Sequence, residues 1–359
     1  MKKVFYSLII LMFGCSDKEL LQPNNLAEYI NQTVQPYLFT ANTPGIGIGV
    51  FQNNEISYYF FGVRNLDSGQ PFDENTLIEI GSITKTFTST LLAKSHLNGS
   101  TSLNQPIYDY LPSGVNMNIY ATDSIRFVHL ANHTSGMPRQ PDNDTDKFSD
   151  YGLPELFSFL NNWNPSVKPG VMHEYSNVGV GLLGYLLERV ENTSYETLVQ
   201  QQIFNPLGMT RSYVNTNVEQ DGNFATGYIG INKQEPFKMT QANQAAGSII
   251  STPSDMMKYL IANIQKTHPD LGQVFELAQT FTFEEDEQNG FGLSWFITKV
   301  EEGYTATWHN GGTDGFNSFI GFDENRQQGV FVVMNSRNST ALPATELGAL
   351  ILSKMRSIE

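Results

Sequence analysis

The stretch Ile80-Gly81-Ser82-Ile83-Thr84-Lys85-Thr86-Phe87, IGSITKTF, stands where an apolar helix begins. Behind it runs TSTLLAKSHLNG, with Phe87, Leu91, Leu92 and Leu97 at helical spacing and Asn98-Gly99 as a stop signal. Ser82 and Lys85 are three residues apart, so their side chains share one face of the first turn. A cation there sits at the positive end of the helix dipole, where it is mildly disfavoured, so helix stability does not explain it. Ser-x-x-Lys occurs nowhere else in the chain. Its plain interpretation is a Ser/Thr-rich helix start with a solvated lysine. Its chemical interpretation is a serine nucleophile deprotonated by a neighbouring amine, which requires a desolvated lysine of lowered pKa. Ile80, Ile83 and Phe87 are placed to supply that desolvation.

Two further patterns favour the chemistry. Tyr-x-Asn occurs at Tyr29, Tyr175 and Tyr213. Tyr29 lies within an expected helix and Tyr213 in a turn-to-extended stretch, both structural settings. Tyr175 sits in KPGVMHEYSNVGVGLLGYLLERV, after a Pro-Gly turn and before a small-residue helix. Such a loop can hold a tyrosine in a cleft, where its hydroxyl relays a proton. The third pattern is WHNGGTDGF, residues 308–316, a strand ending in Gly-Gly whose backbone N–H groups can approach an oxyanion. A Gly-rich turn between strands is the alternative there.

The chain has 359 residues, 40% of them apolar, and a net charge of −15, so nucleic acid and anionic membrane surfaces are excluded as expected partners. It starts with MKK, an eleven-residue apolar run VFYSLIILMFG, and then Cys15, the only cysteine. That is the pattern of a secretory signal, too short to span a membrane. A lone cysteine after a glycine resembles a bacterial lipobox, which implies lipidation of Cys15. No later apolar run is long enough for a transmembrane helix.

Along the chain, Asn24 to Phe39 reads as an amphipathic helix, and IGIGVFQNNEISYYFFGVRN as two strands around an Asn53-Asn54 turn. Residues 101–240 are helical and loop-rich, punctuated by prolines. Near the end LSWFITKV, YTATWHN, FNSFIGFD and GVFVVMN read as four strands, followed by a helix from Ala341 to Met355. The expected fold is α/β of the α+β kind: an antiparallel sheet built from both chain ends, flanked by helices, with an inserted mostly helical domain. The expected boundaries are 1–15 for the signal, 16–100 and 241–359 for the sheet domain, and 101–240 for the helical domain, with the site between the two.

Ser82, Tyr175 and His309, in that order and context, resemble the serine β-lactamase and penicillin-binding protein superfamily, in its class C β-lactamase-like branch. LANHTSGMP (130–138), IFNPLGMTRS (203–212) and AAGSIISTPSDMMKYL (245–260) are phrases typical of that branch. The resemblance implies a β-lactamase/transpeptidase-like fold and a serine hydrolase without metal or cofactor. By position, Ser82 would be the acylated nucleophile, Lys85 the activating amine, Tyr175 the proton relay and Asn177 a side-chain donor to substrate. The N–H groups of Ser82 and Gly312 would form the oxyanion hole, with Gly311 beside them. Where class C β-lactamases carry Lys-Thr-Gly, this chain has His309-Asn310-Gly311. A neutral histidine can donate one hydrogen bond but presents no cation to a substrate carboxylate. The expectation is therefore an exported esterase or D-amino-acid peptidase acting on a small ester, amide or peptidoglycan-derived substrate, in the periplasm or as an outer-membrane lipoprotein of a bacterium.

The alternatives are a true β-lactamase or D-Ala-D-Ala carboxypeptidase, and a non-catalytic member that binds peptidoglycan or a partner. His129 and His133 lie at i, i+4 as in zinc hydrolases, but without the glutamate of His-Glu-x-x-His, so both are expected to be structural. No Gly-x-Ser-x-Gly occurs, which excludes an α/β-hydrolase elbow. Loops around 139–150 and 213–240 are expected to shape the pocket.

Overall fold

Strand β1 (Gly45–Gln52) alternates glycine with isoleucine or valine, and that alternation organises the sheet. Side chains on successive strand residues point to opposite faces. Ile46, Ile48 and Val50 join one apolar cluster, packed with the C-terminal helix. On the other face a Cβ at Gly47 would lie 2.8 Å from the Phe72 ring, and one at Gly49 2.5 Å from the Met257 sulfur. The glycine face thus lets a second layer approach the backbone closely. The computed structural model that gives these positions describes residues 25–39, 42–143, 150–215, 221–301, 303–337 and 343–358. The expected signal and Cys15 lie outside the described residues, as does part of each loop expected to shape the pocket.

Asn53 and Asn54 have φ of 55° and 62°, and Gln52 pairs with Glu55. That is the two-residue hairpin with both central residues left-handed, which asparagine tolerates best after glycine. It links β1 to the edge strand β2 (Glu55–Gly62). The other neighbour of β1 is β13 (Gln328–Met334), in register Ile46↔Met334, so both ends of the chain meet in one sheet. β12 (Asn317–Asp323), β11 (Tyr304–Gly312), β10 (Phe296–Glu301), β9 (Asn289–Phe291) and β8 (Phe283–Glu284) complete an eight-stranded antiparallel sheet in the order β2-β1-β13-β12-β11-β10-β9-β8. The four expected late strands are all present. β8 and β9 were not anticipated, being too short to show a period.

Helix α1 (Leu26–Thr33) is capped by Asn25, whose side chain accepts from the Glu28 N–H at 2.8 Å. The expected single helix is interrupted at Val34 and resumes over Gln35–Phe39, because Pro36 has no N–H to continue the ladder. The last helix is described over Pro343–Ser357, and its expected start at Ala341 lies outside the described residues. It and α1 cover the isoleucine face of the sheet.

The helix after Ser82, α2 (Thr84–Leu97), has no exposed face over most of its length. Every residue from Thr84 to Ala93 is buried, while Leu97, expected on the apolar face, is 48% exposed where the chain leaves the core. The buried hydroxyls are satisfied internally: Thr88 Oγ1 lies 2.7 Å from the Tyr195 hydroxyl and from Ala245 O, and Ser89 Oγ 2.7 Å from Ser294 Oγ. One continuous apolar cluster runs from the glycine face of the sheet through α2 to Leu156, Leu186 and Tyr195. Before α2, a small sheet of β3 (Ile78–Glu79), β7 (Ile249–Ser251) and β4 (Tyr213–Val214) clamps the serine turn from one side. β11 closes on it from the other.

Candidate active site

Ser82 sits in a single 3-10 turn, Gly81–Ile83, just ahead of α2. Gly81 has φ +53°, and a Cβ on it would meet the Gly312 nitrogen at 2.7 Å. Across the same contact a Cβ on Gly311 would fall 2.0 Å from Ile80 O. Only glycine on both sides lets the end of β11 lie against the serine turn, backbone on backbone. Ser318 Oγ donates to Ile80 O at 2.9 Å and ties the turn to β12 as well. Ser82 and the Gly312 backbone, expected to line one site, are thereby brought together.

Lys85 is fully buried, which rules out the solvated-lysine interpretation. Its Nζ donates to Ala246 O at 2.6 Å and to Ser82 Oγ at 3.0 Å. Burial, with the Arg139 guanidinium as a second cause, lowers its pKa well below the ordinary lysine value. A neutral amine keeps a lone pair, so it can accept the Ser82 proton rather than only donate to it. Ser82 is half-buried, within reach of a ligand.

Tyr175 stands beside this pair. The Lys85 Nζ is 5.0 Å from the centre of its ring, and the Arg139 guanidinium carbon is also 5.0 Å away. Burial pushes its hydroxyl up to about 12, while hydrogen bonding to Ser82 and the Arg139 charge act in the opposite direction. The loop that carries it is fastened to the loop after His133. Glu174 N–H donates to His133 O at 2.7 Å, Ser176 N–H to His133 Nδ1 at 3.1 Å, and Ser176 Oγ to Pro138 O at 2.8 Å. Asn177 N–H donates to Arg139 O at 3.0 Å. The His133 ring packs on the Tyr175 ring with centroids 4.4 Å apart. Asn177 opens α3 (Asn177–Glu191), capped by Ser176, and its half-buried side-chain amide has no hydrogen-bond partner among the described residues.

His309 departs from expectation. It is fully buried, and its Nδ1 lies 2.6 Å from Asn310 O, a pure acceptor. The proton is therefore on Nδ1 and spent on the backbone, leaving Nε2 an acceptor. Burial first, and then Lys85, lower its pKa to about 3. His309 is thus a neutral wall of the site, packed 5.3 Å from the Phe296 ring and 6.5 Å from Tyr175, and has no proton to offer a substrate.

His129 and His133 do not share a ligand position: His129 Nδ1 accepts the Arg126 N–H at 3.2 Å, while His133 Nδ1 serves Ser176. Among the described residues no group of three or more His, Cys, Asp or Glu could hold a metal. Sequence reasoning missed Arg139 and Ala246. Arg139 directly follows the LANHTSGMP phrase and Ala246 lies within AAGSIIS, but nothing in either phrase marks a side chain or carbonyl that reaches the serine.

A profile of the Beta-lactamase family matches residues 30–352. A Beta-lactamase of Pseudomonas fluorescens is 26% identical over 350 residues, covering 88% of this chain and 95% of that protein. The D-alanyl-D-alanine-carboxypeptidase/endopeptidase AmpH of Escherichia coli (strain K12) is 23% identical over 353 residues, covering 93% and 91%. The solved structure of an octameric penicillin-binding protein homologue from Pyrococcus abyssi superimposes with a TM-score of 0.82 at 25% identity, over 92% of this chain and 77% of that one.

The buried and half-buried histidines make stability depend on pH. Burial lowers the pKa of His129 and His173 to about 4, of His309 to about 3, and of His133 well below the ordinary value. In the unfolded chain these groups take protons near pH 6.5, so below that the unfolded state binds more protons than the folded one. The stability they contribute is full above about 6.5 and is lost as pH falls toward the folded values, at up to about 1.4 kcal/mol per pH unit for each fully buried ring. The urea midpoint is expected to drop between pH 7 and pH 5. A midpoint constant over that range would contradict buried neutral rings.

Proposed function

The chain belongs to the Beta-lactamase family, and we propose that within it the protein is an exported serine hydrolase that acylates Ser82 with esters or small amides, D-amino-acid peptides included, in preference to β-lactams. The observation that carries the chemistry is the fully buried Lys85 amine 3.0 Å from Ser82 Oγ. With its affinity for a proton lowered by burial, the amine takes the hydroxyl proton as Oγ attacks the acyl carbon. The oxyanion that forms is met by the N–H groups of Ser82 and Gly312, fixed in advance by the glycine contact. Tyr175, its high pKa keeping it protonated, passes a proton to the leaving group and recovers one from Lys85, which holds the proton taken from Ser82. Water then enters, loses its proton to the same relay and releases the acyl group from Ser82. Asn177, with its amide uncommitted, holds the acyl part of the substrate.

The preference against β-lactams rests on His309. At the position where class C β-lactamases carry a lysine, a buried neutral ring offers a substrate carboxylate neither charge nor proton. Hydrolysis of β-lactams and of D-alanyl-D-alanine peptides are the competing specificities, by the names of the relatives. Export rests on the N-terminal apolar run and Cys15. Detergent partitioning that is lost in Cys15→Ser supports a lipid anchor there, and equal solubility of the two proteins rejects one.

The experiment is kcat/KM for a p-nitrophenyl ester and a chromogenic cephalosporin, on wild type, Ser82→Ala and Lys85→Arg. Arginine keeps its charge at every accessible pH and cannot serve as the base. Both variants are expected to lose about a thousandfold or more on the ester. Wild type is expected to favour the ester at pH 6 and pH 8 alike, because His309 stays neutral across that range. Wild-type cephalosporin turnover at about 10⁶ M⁻¹s⁻¹, within the range of an efficient enzyme, overturns the preference and makes the protein a working β-lactamase.

A further inference from the structure

Arg139 is an exposed arginine whose guanidinium carbon lies 5.0 Å from the centre of the Tyr175 ring, one tyrosine away from the nucleophile. Its backbone is not free to drift. Arg139 O accepts the Asn177 N–H, and Pro138 O accepts Ser176 Oγ, so the residue is held beside Tyr175 and Asn177. Among the described residues it has no ion pair and no side-chain hydrogen bond, although the chain has a net charge of −15. The other arginines near carboxylates behave differently: Arg64, Arg211, Arg326 and Arg337 each pair with an aspartate, at 3.5, 3.0, 3.0 and 3.8 Å. The ionisable neighbours that act on Lys85 and His133 are cationic or basic groups as well. A guanidinium with no carboxylate partner among the described residues is therefore kept at the rim of a site whose own amine works only when neutral. Removing the arginine would favour that neutral amine less, but its exposure and five unused donors fit a ligand role better than a purely electrostatic one.

We propose that Arg139 binds a carboxylate of the substrate, taking up at the Tyr175–Asn177 edge of the cleft the recognition that His309 cannot provide from β11. A planar guanidinium receives a carboxylate through two parallel hydrogen bonds, and its place 5.0 Å from the centre of the Tyr175 ring sets where it does so. The substrates are then esters or amides carrying an anionic group a short distance from the scissile bond. The carboxylate belongs either to the acyl part or to the leaving group, and the chemistry of recognition is the same for both. The proposal rests on the hydrolase function above and adds the charge of its substrate.

The test uses three esters: p-nitrophenyl hydrogen glutarate, with its carboxylate on the acyl side; 3-carboxyphenyl butyrate, with it on the leaving group; and p-nitrophenyl butyrate, with none. Values of kcat/KM are measured for wild type, Arg139→Ala, Arg139→Lys and Arg139→Glu. The ratio of one anionic ester to the neutral one is expected to fall about 10- to 100-fold in Arg139→Ala, mainly through KM, as expected for loss of one charge-assisted bidentate contact. Arg139→Lys should recover part of it, and Arg139→Glu should fall below Arg139→Ala. The ester whose ratio falls identifies the side on which the carboxylate is held. Turnover of the esters with both ratios unchanged within twofold in all three variants overturns the proposal and leaves the hydrolase function standing. Absence of turnover on every ester overturns the hydrolase function, and the proposal with it.

Discussion

A lysine amine with no exposed surface is the constraint around which this protein is arranged. Isolated burial of an ammonium costs several kcal/mol, and the economical response is to give up the proton. The surroundings of Lys85 fit that outcome: its partners are a carbonyl, Ala246 O, and a hydroxyl, Ser82 Oγ, with no carboxylate among the described residues hydrogen-bonded to it. Tying the amine to a carboxylate would restore its charge and remove its capacity as a base. The same logic extends outward. His309 and His133, both fully buried, are neutral, and neither sets a permanent charge against the amine.

Holding that amine in place takes much of the fold. Helix α2 is buried from Thr84 to Ala93, Lys85 included, and its hydroxyls are satisfied internally: Thr88 and Ser89 by Tyr195, Ala245 and Ser294, Thr86 and Thr90 by the Ile83 and Thr86 carbonyls. The serine turn before it is fastened at two levels. Ile80 N–H donates to Ile249 O at 3.1 Å on the small-sheet side, and Ile80 O accepts Ser318 Oγ on the large-sheet side. Between these supports the glycines at 81 and 311 let two backbones touch, which sets where an oxyanion can be received. The third component, the Tyr175 loop, is held by four hydrogen bonds to residues 133–139, so the segment containing Arg139 also positions the tyrosine.

What the sequence disclosed follows from the range of each interaction. The Asn53-Asn54 hairpin and the long terminal strands are local patterns and are found where the period and turn residues place them. Ser82 with Lys85 is a short-range motif that occurs once, whereas Tyr175 with Asn177 is singled out by its Pro-Gly and small-residue context, because the same spacing recurs at Tyr29 and Tyr213. The two-residue strands β3 and β4 exist only because β7 lies between them, and no periodicity can show in two residues. The state of His309 was equally hidden. Its tautomer depends on a carbonyl one residue away and on burial under Phe296, so a residue expected to donate to substrate turned out to be a closed acceptor. Arg139 carries no motif. Its position over Tyr175 arises from loop pairing between residues 133–139 and 174–177, a contact that spacing along the chain does not encode.

The central claim is that Lys85 works as a neutral base made so by burial. The most direct measurement is the second-order rate at which a fluorophosphonate labels Ser82 as pH is raised, in wild type and in Lys85→Arg. The rate in wild type is expected to reach a plateau with its midpoint well below 10.5, the ordinary value for lysine, and the plateau should be absent in the variant. A wild-type rate that climbs without levelling through pH 10, as hydroxide-driven attack by an unassisted serine does, would contradict the account.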